Sequence, residues 1–326
     1  MKPVKVGILA AGGIARRMAA AASRLDKTEL CAVGSRSLEK AEAFARDTGA
    51  QKAYGSYEEL LADPQVELVY VATPHSHHYQ WAKAALEAGK HVLVEKAFTE
   101  NARQAEEVLR LSEERGLFCG EALKPPFMPG AAFLRGLEAS GEIGRITGVQ
   151  AQIGFNAWDI QRLYDPALAG GALLDMGVYA LAFATQVLGS GVEEFTAQVD
   201  MADTGVDRQE TILLRYPGGK LASLYVSAVG SASTGGRVYG TGGYVVVSDL
   251  FHYRKILVYD GESRLVRDAV FPVDFEGFEL ELAEAADAIR TGRCEFAPVT
   301  HAETLRIMRL MDEIRRRVGF TYPDER

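Results

Sequence analysis

Asp175 and Tyr179, four residues apart, are the first candidates for chemistry. They stand in Gly170-Gly171-Ala172-Leu173-Leu174-Asp175-Met176-Gly177-Val178-Tyr179. On a helix this spacing sets a carboxylate and a phenol on one face, among apolar neighbours. The competing reading is an exposed aspartate beside a half-buried tyrosine. A second candidate is Lys5–Met18, KVGILAAGGIARRM. Val4, Val6, Ile8 and Leu9 read as a short buried strand, followed by a small-residue turn and a helical run. The first N–H groups of such a helix have no partner within it, and the helix dipole adds partial positive charge there. That arrangement holds a dinucleotide pyrophosphate in a Rossmann βαβ unit. The fingerprint G-x-G-x-x-G/A falls on Ala10, Gly12 and Ala15, with Gly13 and Ile14 between them. Ala10 stands where the first glycine belongs, so an ordinary βα turn is the alternative.

More candidates lie at the ends of later strands. Glu29 to Gly34 reads as a strand ending in Ser35-Arg36-Ser37, with Lys40 one turn on. An acidic residue there would bind the adenosine 2′-hydroxyl of NAD. Ser35, Arg36 and Lys40 instead suit a 2′-phosphate, which predicts NADP(H) in preference to NAD(H). The bland alternative is that Arg36 is a solvated surface charge. Val66 to Ala72 is an apolar strand running into Thr73-Pro74-His75-Ser76-His77-His78. Three histidines so close raise the question of a metal, but no carboxylate or cysteine cluster accompanies them. His78 fits the first turn of a helix, hydrogen-bonded to neighbouring backbone. His91 to Val94 is the next strand and ends in Glu95-Lys96-Ala97.

Strands alternate with helices from Val4 to about Glu121, the signature of a doubly wound parallel sheet. Such sheets bind ligands beyond the carboxyl ends of their strands, where Gly12, Arg36, Pro74 and Lys96 all fall. The pattern changes at the proline-rich Lys124-Pro125-Pro126-Phe127-Met128-Pro129. After it come a helix, the strand Ile146 to Phe155, a loop and the Gly170 helix to Leu188. Seven strands with glycine turns follow, and two amphipathic helices close the chain. The expected fold is α/β, an N-terminal Rossmann domain over 1–122. An α+β domain over 123–326 follows, with a large open, mainly antiparallel sheet. One face of so large a sheet is a natural dimerisation surface unless helices of the same chain cover it.

Composition narrows the classes. The chain has 326 residues, 48% hydrophobic and 25% charged, as a soluble two-domain protein would. Its net charge of −8 argues against nucleic acid as a partner. No apolar run reads as long enough to span a bilayer, and the chain enters a strand at once, without a secretory signal. Cys31, Cys119 and Cys294 are scattered and read as free thiols in a reducing cytoplasm.

Taken together, these residues resemble the glucose-fructose oxidoreductase/inositol dehydrogenase/rhizopine-catabolism (Gfo/Idh/MocA) family. The near-Rossmann start, Glu95-Lys96 at a strand end and Asp175-x-x-x-Tyr179 behind Gly170-Gly171-Ala172 match it in order and spacing. Ser35-Arg36, Ala53 to Leu60, Gly171 to Tyr179 and Gly205-Val206-Asp207 are similar to its dimeric dihydrodiol dehydrogenase branch. The resemblance implies an NADP(H)-dependent oxidoreductase of a sugar, vicinal diol or related small polyol. In this reading Lys96 is the catalytic lysine, Asp175 orients substrate or shares its proton, and Tyr179 is the general acid/base. An unperturbed tyrosine titrates near ~10, and a lysine ammonium close by would favour the phenolate. The same ammonium would stabilise negative charge on the reacting oxygen. Asn156, Trp158, Arg162 and Tyr164 precede the Gly170 helix and are candidates to line the substrate pocket. Ala97 departs from the family's Glu-Lys-Pro, and Leu123-Lys124-Pro125-Pro126 departs from its usual hinge segment. Those departures keep a second reading in view, a non-catalytic nucleotide-binding sensor of the same fold. The expected assembly is a cytoplasmic homodimer joined through the C-terminal sheet, with no membrane partner and no metal.

Overall fold

The computed structural model describes residues 2–273 and 276–325. The chain forms two compact units, Met1–Leu123 with Phe275–Met308, and Lys124–Asp274 with Arg309–Arg326.

The first unit is built on six parallel strands: β1 (Val4–Leu9), β2 (Thr28–Gly34), β3 (Lys52–Tyr54), β4 (Leu68–Val71), β5 (His91–Glu95) and β6 (Cys119–Ala122). Their order is β3-β2-β1-β4-β5-β6. The order reverses between β1 and β4, the switch point at which such sheets bind ligands. Val4, Val6, Ile8, Leu68, Val69 and Val92 are fully buried, as strands covered on both faces require. The helices are α1 (Gly13–Ala22), α2 (Leu38–Thr48), α3 (Tyr57–Ala62), α4 (His78–Glu87) and α5 (Ala102–Arg115). Side-chain caps fix three of their starts: Ser37 on Lys40 N–H, Ser56 on Glu59 N–H and Asn101 on Gln104 N–H. At three residues, β3 is too short to show an alternation in the sequence.

The second unit holds an eight-stranded sheet: β7 (Ile146–Gly154), β8 (Glu194–Met201), β9 (Asp207–Tyr216), β10 (Lys220–Ser227), β11 (Ala232–Gly240), β12 (Gly243–Val247), β13 (Lys255–Asp260) and β14 (Leu265–Val270). The order is β14-β13-β12-β11-β7-β10-β9-β8, antiparallel throughout except at the β10–β7 pair. Three helices belong here: α6 (Pro129–Ser140), α7 (Gln161–Tyr164) and α8 (Val178–Leu188). Helix α8 packs on β7 and β10 and is apolar nearly all round. The helical run Pro166–Leu188 meets the length and apolarity of a membrane span, contrary to the sequence expectation. Its apolar window is 83% buried inside the molecule, as a core helix would be.

Two helices end the chain, α9 (Phe278–Thr291) and α10 (His301–Arg317). The sequence assigned everything after 122 to the second domain, yet residues 275–308 cluster with the first unit. The reason lies on α9. Its buried face, with Phe278, Leu282 and Ala285, packs on α1 and β2. Arg17 stacks over Phe278, 5.2 Å from the ring centre, and Lys27 Nζ pairs with Asp287 at 2.6 Å.

Candidate active site

In the first unit the candidate residues gather at the carboxyl ends of β1, β2, β4 and β5. Beyond β1, Ala10 has φ +83°, the left-handed conformation that the first glycine of the fingerprint ordinarily supplies. Gly12 caps α1, which has no side-chain cap and no acidic residue in its first turn. Its N–H groups and dipole are therefore left for an anion. Gly12 and Gly13 are exposed, and a Cβ added to either would meet nothing within 4 Å. Ile14 is half-buried, and Ala15 is packed inside.

Past β2, Ser35 is buried and its Oγ accepts the Ser37 N–H at 3.4 Å. Arg36 and Lys40 are exposed. Past β4, Thr73 Oγ1 is buried with no hydrogen-bond partner, and half-buried Pro74 leads into a short turn, His75–His77. An open glycine cradle, an uncapped helix start, two exposed cations and an orphaned hydroxyl together fit a dinucleotide.

His75 and His78 are both buried, their rings edge to face at 5.5 Å. By their place beyond β4, Thr73, Pro74, His75 and His78 are all candidates to meet the cofactor, but both ring nitrogens of His78 face main chain. Nδ1 lies 2.9 Å from the Ala97 carbonyl oxygen and Nε2 lies 2.8 Å from that of Thr73. Burial pushes His78 down to about 4. Its ring is spoken for inside the protein, which leaves no nitrogen for a cofactor. Among the described residues, no group of three His, Cys, Asp or Glu is arranged to hold a metal.

Past β5, Lys96 is the one residue from Val92 to Ala102 that is not buried. The Lys96–Ala97 peptide is cis. Glu95 accepts the Lys96 N–H at 3.3 Å and the Tyr70 hydroxyl. From β6, Glu121 accepts the Phe98 N–H at 3.0 Å and the Thr304 hydroxyl at 2.9 Å. Burial holds Glu121 up at about 7. Sequence reading missed Glu121, Tyr70 and Thr304, whose partners lie on other strands or helices. The one visible signal was an acidic residue inside an apolar strand.

In the second unit, every residue from Ala169 to Ala184 is buried except Asp175 and Tyr179. The expected continuous α-helix instead opens with a π-helical turn, Leu173–Gly177, that runs into α8. Such widened turns are frequent at functional sites. Asp175 Oδ1 accepts from Arg162 Nη1 at 2.7 Å, so the structure brings one predicted substrate-lining residue onto a predicted catalytic one. The Tyr179 ring meets the Phe251 ring edge-on at 4.8 Å. Trp158 and Tyr164 lie 6.4 Å apart, and Asn156 is exposed beyond β7. Beneath the turn, Asp207 Oδ2 accepts the Leu173 N–H at 2.6 Å. Phe251 has no sequence signal, and Asp207 enters the sequence reading only within Gly205-Val206-Asp207, without a role.

A six-stranded parallel sheet with a glycine cradle at its switch point defines a dinucleotide-binding protein of Rossmann type. Comparison with known proteins agrees. The family model described as "Oxidoreductase family, NAD-binding Rossmann fold" matches residues 4–122, and "GFO/IDH/MocA C-terminal domain" matches 132–246. The chain belongs to the Gfo/Idh/MocA oxidoreductase family. It is similar to the trans-1,2-dihydrobenzene-1,2-diol dehydrogenases of Mus musculus and Homo sapiens, each 33% identical over 98% of both chains. Among solved structures it is similar to a 3-ketoreductase from Actinomadura kijaniata in complex with NADP and TDP-benzene. That match has TM-score 0.87 and 28% identity, covering 96% of this chain and 97% of the other. An aldose-aldose oxidoreductase from Caulobacter crescentus matches with TM-score 0.87 and 25% identity, covering 97% and 98%.

Proposed function

We propose that this oxidoreductase prefers NADP(H) and acts on the hydroxyl or carbonyl carbon of a vicinal diol, a sugar or a related small polyol. One observation carries the reading. In two otherwise buried runs, 92–102 and 169–184, the residues that reach the surface are Lys96, Asp175 and Tyr179. The nicotinamide supplies or accepts the hydride when bound. The protein's task is then the hydroxyl proton and the charge on the oxygen. Tyr179 takes or returns that proton as general acid/base. Lys96 stabilises negative charge on the reacting oxygen. Asp175, held by Arg162, orients the substrate's hydroxyl groups. Arg36 and Lys40 receive the 2′-phosphate, with Ser35 beside them, while the Gly12 turn receives the pyrophosphate. The relatives named as a diol dehydrogenase and as an aldose-aldose oxidoreductase support the substrate class, and the 3-ketoreductase complex with NADP supports the cofactor. We place the protein in the cytoplasm, in keeping with its three free cysteines.

The test is the initial rate of reduced-nicotinamide formation with NADP⁺ and NAD⁺ in parallel, against vicinal diols, aldoses and inositols. Turnover should favour NADP⁺, and Arg36→Ala should erode that preference. Lys96→Ala and Tyr179→Phe should each lower kcat by about a hundredfold or more. Intact NADPH binding without hydride exchange on any substrate would replace this reading with that of a nucleotide sensor.

A further inference from the structure

Two buried titratable side chains grip one peptide group next to Lys96. The Ala97–Phe98 peptide has two polar atoms. Its carbonyl oxygen lies 2.9 Å from His78 Nδ1, and its N–H donates to Glu121 Oε1 at 3.0 Å. His78 comes from the start of α4 and Glu121 from β6, and their exposures are 1% and 2%. The other oxygen of Glu121 is held from α10 by the Thr304 hydroxyl at 2.9 Å. On the opposite side of Lys96, Glu95 holds the Lys96 N–H.

We propose that His78 and Glu121 are positioning residues for Lys96, clamping the Ala97–Phe98 peptide so that the lysine side chain leaves the sheet end in one fixed direction. The inference rests on the reading of Lys96 as catalytic. A carboxyl group is a costly way to satisfy one buried N–H, because burial without a cation disfavours its charge. Glu121 has a peptide N–H and a threonine hydroxyl as its hydrogen-bond partners, and a neutral amide could serve both. What the amide lacks is charge. The charges of Lys96 and Glu95 both act on Glu121, the first lowering and the second raising its titration. Around His78 stand the His75 ring and the Lys96 charge, besides the Thr73 and Ala97 carbonyls. On the β6 side, His301 of α10 contacts the Cys119 carbonyl at 2.9 Å and Glu113 at 3.1 Å. Glu121 titrates at about 7, so its negative charge beside Lys96 is present above neutral pH and lost below it.

The experiment compares full-length Glu121→Leu, His78→Leu and Glu121→Gln with wild type and Lys96→Ala. The Leu variants should lose about tenfold or more in kcat, with KM for NADP⁺ within about twofold. Glu121→Gln can accept the Phe98 N–H and donate to Thr304, so it should keep the kcat that wild type shows on the acid side of about pH 7. Being neutral at every pH, it should show no change of kcat through about pH 7, where wild type does. A second readout needs no turnover: acetylation of Lys96 by N-hydroxysuccinimidyl acetate, followed by mass spectrometry against the other lysines. Its rate should change several-fold in both Leu variants. Leu variants that match wild type in kcat and labelling would overturn the proposal. So would a Gln variant that loses kcat as far as Leu does, since it keeps both hydrogen bonds and the clamp would then not be what sets kcat. If Lys96→Ala left kcat unchanged, the functional reading would fail, while the labelling result would still decide whether the clamp aims the lysine.

Discussion

At Gly12 the backbone has φ −81° and ψ −176°, a conformation open to any residue, and a Cβ there would meet no atom within 4 Å. Neither the chain's geometry nor its packing asks for glycine at this position. In the function proposed above, the pyrophosphate occupies the space beside it. Gly12→Ala should therefore leave stability within about 0.5 kcal/mol, or slightly higher through lost unfolded-state entropy. Affinity for NADPH should fall about tenfold or more, because the backbone can no longer approach the pyrophosphate. A thermal melt and a fluorescence titration check both halves, and an unchanged affinity would move the phosphates elsewhere. Ala10 is the opposite case. Its φ of +83° asks for glycine, and the sequence supplies alanine at a cost of roughly 1–2 kcal/mol. The flaw in the fingerprint is thus one of residue identity, and the turn keeps its shape. Sequence could show Gly12, Lys96, Asp175 and Tyr179 because each sits beside a recognisable strand end or glycine run. His78 and Glu121 act on one peptide from different elements, and no local pattern records that.

Among elements, the π-helical turn Leu173–Gly177 is the least legible in sequence, because Asp175 is its one charged residue in an otherwise apolar run and gives too little phase from which to read its winding. What shapes it comes from β9. Asp207 accepts the Leu173 N–H, and a Cβ on Gly171, at φ +117°, would lie 2.2 Å from Asp207 Oδ1. Glu210, three residues on, is buried with neither carboxylate oxygen hydrogen-bonded. Burial raises both groups, Asp207 to about 6, and the charge of Asp207 raises Glu210 further. The Arg315 charge acts on Asp207 in the other direction. The folded protein therefore holds protons that the unfolded chain, titrating near its ordinary carboxylate values, has released. Stability from this pair is greatest at low pH and falls as pH rises from about 4 through about 6, by up to about 1.4 kcal/mol per pH unit for each proton retained. Urea midpoints measured across that window should fall with pH in wild type, once other groups' contributions are subtracted using Asp207→Asn. That variant keeps an acceptor for Leu173 and should flatten the slope. Asp207→Ala leaves the N–H unmet and should cost about 1–3 kcal/mol at any pH. An Asn variant with the wild-type slope would mean that the pair is ionised in the folded state.

Across the whole molecule, alternation of strands and helices made the first sheet legible, and repeated hairpins made the second. The return of residues 275–308 to the first unit was not, because an amphipathic helix such as α9 states that it packs and not on what. The same limit applies to the outer face of the eight-stranded sheet. Helix α8 covers the inner face, on which Ile212, Leu214, Leu224 and Val226 are buried. Along β9 and β10 the alternate positions point the other way. Leu213 and Leu221 there are 47% and 59% exposed. Around them the face is polar, with Tyr239 donating to Gln150 at 3.1 Å and Arg215 paired to Glu194 at 2.8 Å. Exposed leucines on a broad regular sheet with a polar surround suit an isologous contact with a second copy, in which each leucine is used twice. Sedimentation of wild type at micromolar concentration should give a dimer. Placing a charge at the contact should split it, because like charges would meet across the two-fold axis in a protein already at −8. Leu213→Asp with Leu221→Asp should yield a monomer with unchanged near-ultraviolet circular dichroism, since both side chains lie outside the core. A wild-type protein that sediments as a monomer would leave this face to solvent. A double variant that stays dimeric would move the contact to another surface, with the exposed Leu265, Val266 and Val270 of β14 the next to substitute.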